Sequence, residues 1–168
     1  MNPGGLAVMT TVLSVSTVLA FGRGPRPPVF LAYNPTESAP VGFYTVQPSA
    51  GVRVGDQVLS GLPRQTAELA DRRRYVPATT PVLKTVAAGT GAVVCRLGAV
   101  VTINGRAVVQ ARTRDHAGRP LPVWSGCRRL GVGEVFLLGR RPDSFDGRYF
   151  GPTERALILG TARPLWTW

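Results

Sequence analysis

From residue 29 to residue 159 the chain is written in short apolar runs, rich in valine, each cut off by glycine, proline, asparagine or aspartate before a helical period can build up. The runs fall at 29–32, 43–46, 57–60, 82–87, 92–95, 100–103, 107–111, 134–138 and 157–159. Segments this short, with turn residues between them, suit strands that pair with their sequence neighbours, so the pattern predicts a mainly β, antiparallel domain. The sharpest local signal is Asn104-Gly105, between 100–103 and 107–111, because both central residues of a type I′ turn need positive φ. One short, peripheral helix is expected at 65–74, where Glu68 and Arg72 stand four apart. No internal repeat, phosphate-binding glycine loop or dinucleotide fingerprint occurs.

Ahead of this domain no charged side chain precedes Arg23, and residues 4–21 are an uncharged stretch rich in valine and leucine. As a helix it would run about 27 Å, enough for a bilayer core. A cleaved signal peptide, with Val18 and Ala20 as the small-residue cleavage pattern, and a buried core helix are the competing readings. Residues 23–28 read as an extended linker, because Pro25, Pro27 and Pro28 cannot sustain a helix. The expected organisation is a membrane-spanning or signal segment at 1–22, a proline-rich linker at 23–28 and one folded domain at 29–168.

The net charge of +11 suits a polyanion or a membrane surface. A basic nucleic-acid module is therefore a rival from another function class. However, the clusters Arg72-Arg73-Arg74, Arg128-Arg129 and Arg140-Arg141 lack the aromatic interleaving of a single-strand binder. They are read as a solvated face that leans toward anionic headgroups, and no nucleic-acid partner is expected. A single histidine, His116, and two cysteines cannot furnish a four-ligand zinc site without carboxylates, so no metal is expected. His116 lies in a polar loop at 112–120 and is read as solvent-exposed, outside any Ser/His/Asp triad.

Of the 20 basic residues, 19 are arginine, and Lys84 is the only lysine. Arginine stays protonated in proteins, whereas a desolvated lysine can lose its proton and act as a general base. On a strand, Lys84 shares a face with Val82 and Val86, and an apolar face favours the neutral amine. Moving a lysine from about 10.4 to near 7–8 takes roughly 4 kcal/mol, which burial can supply. A surface lysine on a strand is the competing reading. Ser38 sits within a proline- and glycine-punctuated loop, 33–44, in which Pro35, Pro40 and Gly42 restrict the backbone. Such a loop is a good place for an exposed nucleophile, with an ordinary turn serine as the alternative.

Five blocks stand in order along the chain: Ser38 in its Asn-x-Thr-x-Ser-x-Pro-x-Gly-x-Tyr frame; Val54-Gly55-Asp56-Gln57-Val58; Leu83-Lys84-Thr85-Val86; Ile103-Asn104-Gly105; and Ser144-Phe145-Asp146-Gly147-Arg148-Tyr149-Phe150-Gly151. Together they resemble the signal peptidase I superfamily, and within it the TraF-type conjugative-transfer signal peptidases. That resemblance implies an antiparallel β catalytic domain carrying a Ser/Lys dyad, with Ser38 as nucleophile and Lys84 as general base. Thr36 would supply the oxyanion-hole hydroxyl beside the Ser38 N–H, and Ser144 would orient the lysine amine. Asp146 and Arg148 would form a supporting ion pair, with Asp146 counted among the catalytic residues. Two departures stand out: Ala39 follows the serine where leader peptidases place methionine, and Gly139-Arg140-Arg141-Pro142-Asp143 replaces the usual Gly-Asp-Asn.

The implied protein is an inner-membrane serine endopeptidase, its catalytic domain periplasmic, that cuts or cyclises a pilin-subunit precursor without a metal or organic cofactor. A general type I signal peptidase is the runner-up. A self-cleaving repressor shares the dyad but carries a DNA-binding helix-turn-helix where this chain has an apolar stretch. In an exported domain, Cys95 and Cys127 are candidates for one disulfide, with free buried thiols as the alternative.

Overall fold

The computed structural model describes residues 30–48 and 51–168. The expected membrane or signal segment and the linker lie outside the described residues, and within them no helix is long and apolar enough to cross a membrane. The strands are β1 Phe30–Asn34, β2 Gly42–Gln47, β3 Gln57–Ser60, β4 Val82–Ala88, β5 Val93–Leu97, β6 Val100–Ile103, β7 Arg106–Gln110, β8 Gly126–Arg129, β9 Glu134–Leu138, β10 Thr153–Glu154 and β11 Ile158–Thr167, with helices α1 Arg64–Arg72 and α2 Gly147–Phe150. They form one seven-stranded sheet, ordered β1-β2-β11-β3-β4-β9-β10, and one four-stranded sheet, ordered β7-β6-β5-β8. Every pairing is antiparallel, as the short alternating runs predict.

The unbroken apolar run of β9 follows from burial on both of its faces. Phe136 and Leu138 pack with Val94 and Val101 of the smaller sheet, whereas Val135 and Leu137 pack with Val52, Val58 and Val86. A third cluster, Ala39, Tyr44, Val46, Leu83 and Ala162, lies under the β1-β2-β11 end. The β6–β7 turn is the one the sequence predicts: Asn104 has φ 49° and Gly105 φ 79°. The Asn104 side chain also accepts from Val93 N–H at 2.9 Å, tying the turn to β5.

Four features depart from expectation, each for a physical reason. β8 was not expected, because Gly126-Cys127-Arg128-Arg129 has no apolar alternation; all four residues are exposed on an edge strand, where Cys127 pairs with Cys95 in register and in a disulfide. β11 runs far past residue 159, since bulges at 158/160 and 164/166 let Gly160 and Pro164 sit within a strand that pairs first with β3 and then with β2. β10 is a two-residue edge too short to show a period. In α1, Glu68 pairs with Arg64 at 3.1 Å in place of Arg72, while Ala67 and Ala70 are buried.

This topology sets up the site. β4 lies between β3 and β9, with Val58 opposite Lys84 and Leu137 opposite Val86. The β1–β2 connection presents residues 35–41, and the chain leaving β9 runs through 139–146 into α2.

Candidate active site

Lys84 is only 5% exposed, on β4, which is flanked by β3 and β9 in the larger sheet. Its Nζ donates to Ser144 Oγ at 2.8 Å, and Ser144 is itself 7% exposed. Burial pulls the Lys84 amine from its ordinary 10.5 down to about 8; the nearby Asp146 carboxylate pushes the other way, and the Arg148 guanidinium adds to the lowering. These two neighbours act in opposite directions and are themselves a pair: Arg148 Nε donates to Asp146 Oδ1 at 2.8 Å and Nη2 to Oδ2 at 3.0 Å, with both side chains at most 1% exposed. The fork is filled from all sides. Arg148 also donates to the carbonyls of Pro142 at 2.6 Å, Arg141 at 3.2 Å and Gly139 at 3.3 Å. Asp146 caps α2 by accepting from Arg148 N–H, and it accepts from Gly139 N–H at 2.6 Å. The pair thereby clamps the 139–146 connection that carries Ser144.

Ser38 lies on the β1–β2 loop, which is held from inside by Asn34. The Asn34 side chain donates to the carbonyls of Thr36, Ala39 and Pro40 and accepts from Thr36 N–H and O–H. Tyr44 O–H donates to Pro40 O at 2.7 Å from the base of the loop. Thr36 Oγ1 stands 2.8 Å from Ser38 Oγ. The two halves of the site are joined by backbone, where Arg140 N–H donates to Ser38 O at 2.9 Å, and by an Arg141–Glu37 ion pair above it.

Ser38, Thr36, Lys84 and Ser144 line one cavity of about 270 Å³, walled by apolar side chains such as Leu59, Leu62 and Val82. On the other side of Ser38 a cavity of about 480 Å³ shares Thr36, Ser38, Ser144, Tyr75 and Phe145 with the first and opens toward Arg112, His116 and Asp143. The serine thus sits on a saddle between an apolar hollow and a polar one, an arrangement suited to an extended polypeptide lying across it. A buried amine that titrates near 8 is a competent general base for a hydroxyl at mildly alkaline pH.

Of the residues singled out in the sequence, Ser38, Thr36, Lys84, Ser144, Asp146 and Arg148 fall in this one region. Cys95 and Cys127 form their disulfide in the smaller sheet. His116 is largely exposed, pairs with Asp143 at 3.3 Å and does not line the cavity that Ser38 shares with Lys84. Two residues escaped sequence reasoning. Asn34 was visible only as a letter in the loop frame, and nothing in a linear sequence says that an amide at the end of a strand turns back over the next six residues. Gly139 carries no side chain to notice, yet a Cβ there would stand 1.9 Å from Ser144 Oγ.

Comparison with known proteins is consistent over nearly the full chain. The signal peptidase, peptidase S26, family matches residues 5–168. The chain is 36% identical to the plasmid transfer protein TraF of Escherichia coli over 150 residues, covering 80% of this chain and 82% of that protein. It is 34% identical to a probable conjugal transfer protein TraF of Sinorhizobium fredii (strain NBRC 101917 / NGR234) over 177 residues, covering 98% and 88% respectively. A crystal structure of a signal peptidase I from Enterococcus faecalis V583 aligns at 18% identity and TM-score 0.38 over 66% of this chain and 96% of that one, too slight a likeness to argue from. By the span of the family match and the identity to these relatives, the chain belongs to the signal peptidase family, peptidase S26.

Proposed function

We propose that the chain is a membrane-anchored serine endopeptidase that processes a pilin-subunit precursor for conjugative transfer, with Ser38 as nucleophile and neutral Lys84 as general base. The observation that carries this reading is the Lys84 amine: buried, lowered to about 8 and lining one cavity with Ser38. Neutral Lys84 takes the Ser38 proton as Ser38 Oγ attacks the scissile carbonyl carbon, and the oxyanion is held by the Thr36 hydroxyl and the Ser38 N–H. On collapse the lysine returns its proton to the leaving amine. Water then attacks the acyl-enzyme; alternatively the substrate's own amino group does so, which joins its ends. Ser144 orients the amine, and the Asp146–Arg148 pair holds Ser144 in place.

The conjugative role is supported by the names of the curated relatives, which are plasmid or conjugal transfer proteins. The apolar stretch at 4–21 supports a tether in the inner membrane with the catalytic domain on the periplasmic side, where the Cys95–Cys127 disulfide is at home. Mass spectrometry of a conjugative pilin precursor co-expressed with the full chain tests the reading by separating uncut, cut and cyclised products. A cut or cyclised product that disappears with Ser38→Ala supports it; an uncut precursor rules out pilin processing.

A further inference from the structure

Asn34 is 8% exposed and ends β1, with its side chain folded into the Ser38 loop. Its Nδ2 lies 2.7 Å from Thr36 O, 3.1 Å from Ala39 O and 3.1 Å from Pro40 O. Carbonyl oxygens only accept, so the atom they surround is the amide nitrogen and the other end of the side chain, Oδ1, is an acceptor without a hydrogen. Oδ1 faces Thr36 N at 3.3 Å and Thr36 Oγ1 at 2.9 Å. Thr36 owns one hydroxyl hydrogen, and the bond to Oδ1 uses it. The 2.8 Å contact between Thr36 Oγ1 and Ser38 Oγ must then carry the hydrogen of Ser38.

We propose that Asn34 is a positioning residue that fixes the direction of a hydroxyl relay, Ser38 to Thr36 to Asn34, and so holds the free site in a resting arrangement. This rests on the assignment of Ser38 as nucleophile. Two consequences follow from the direction of the relay. The Ser38 hydrogen is committed to Thr36 and is unavailable to Lys84. Thr36 likewise has no hydrogen for an oxyanion while it serves Asn34.

An acyl oxygen arriving beside Thr36 competes with Oδ1 for the Thr36 hydrogen. As that hydroxyl turns to the incoming oxygen, Ser38 turns its own hydrogen to the neutral amine. Only hydroxyl rotations are needed, because the Thr36 N–H and the three carbonyl bonds continue to hold the loop. The relay also restrains the nucleophile against water when no peptide is bound.

Neutron diffraction from deuterium-exchanged crystals of the free, full-length enzyme reads the relay without any substrate. Deuterium is expected on Thr36 Oγ1 pointing at Asn34 Oδ1, and on Ser38 Oγ pointing at Thr36; a Thr36 deuterium aimed at Ser38 overturns the proposal. A double-mutant cycle on the cleavage rate of purified pilin precursor adds the functional arm. Thr36→Val should cost about 10²–10³-fold, the worth of one oxyanion donor. Asn34→Ala loosens the loop in either background but frees the Thr36 hydrogen only where Thr36 is present, so it should cost at least about fivefold less in the parent enzyme than when Thr36→Val is already present. The same factor in both backgrounds makes Asn34 a plain structural brace and overturns the proposal. Cleavage that survives Ser38→Ala would instead defeat the nucleophile assignment, leaving the relay to the neutron result.

Discussion

Gly139 and Ser144 occupy nearly the same space: a Cβ added to Gly139 would stand 1.9 Å from Ser144 Oγ, 2.6 Å from its Cβ and 3.2 Å from Lys84 Nζ. The glycine is required by this close approach rather than by its backbone angles. Gly139→Ala should displace the Ser144 hydroxyl, lower the processing rate at least about tenfold and cost about 1–3 kcal/mol of stability through overpacking. Adding Ser144→Gly, which removes both the hydroxyl and the Cβ that the new methyl would meet, should recover part of the stability, read by thermal unfolding, without recovering activity. A Gly139→Ala enzyme with full activity and an unchanged Tm would show that Ser144 has no fixed place beside the lysine.

Ser38→Ala and Lys84→Arg should each abolish processing. The second is the sharper test, since guanidinium keeps the charge and gives up the removable proton. Product analysis of each variant against the parent enzyme checks this, and full activity in Lys84→Arg would leave the general-base role without support.

The cleavage rate should rise with pH through about 8, where Lys84 loses its proton, and level off above. A rate flat from about pH 5 to 10 contradicts this. Asp146 raises the Lys84 pKa, so Asp146→Asn should move the midpoint below that of the parent enzyme. The same variant leaves Arg148 buried without its partner and should lose about 3–5 kcal/mol. A midpoint that moves upward would mean that Asp146 acts on the amine by some route other than its charge.

The lowered lysine also fixes a pH dependence of stability. Between pH 8 and 10.5 the unfolded chain holds a proton that the folded chain has released, so stability rises with pH across that window. Below it the full cost remains, about 3 kcal/mol for a shift of this size. Lys84→Met should therefore stabilise the protein at pH 7 while abolishing activity. Denaturant unfolding at pH 7 measures this, and a destabilised Lys84→Met chain would mean that the amine is not held at a cost.

Cys95 and Cys127 are register partners that link β5 to the exposed edge strand β8, 32 residues apart in sequence. Replacing both with serine should cost about 3–4 kcal/mol on chain-entropy grounds. Thiol titration of unreduced, denatured protein should find no free thiol, and two reactive thiols would exclude the bridge.

Much of the architecture was legible because a strand's requirements are local. Residues 57–60, 100–103 and 134–138 are strands at the expected positions, since apolar runs bounded by turn residues have few alternatives, and Asn104-Gly105 turns where positive φ is required twice. The strand β8 and most of β11 were not legible. A disulfide partner across a sheet edge sustains the first, and bulges that accommodate Gly160 and Pro164 sustain the second; neither leaves a period in the chain.

The amino-acid sequence by itself determined which side chains were available: one lysine among arginines on an apolar strand, a serine in a restricted loop, an aspartate and an arginine two apart, and the ordered blocks that mark the family. Tertiary structure alone decided that Asn34 folds over the serine loop, that Gly139 clears room for Ser144 and that the Lys84 amine is buried beside a neutralised ion pair. Composition and spacing act through covalent neighbours, whereas desolvation and hydrogen-bond direction depend on atoms brought together from distant parts of the chain.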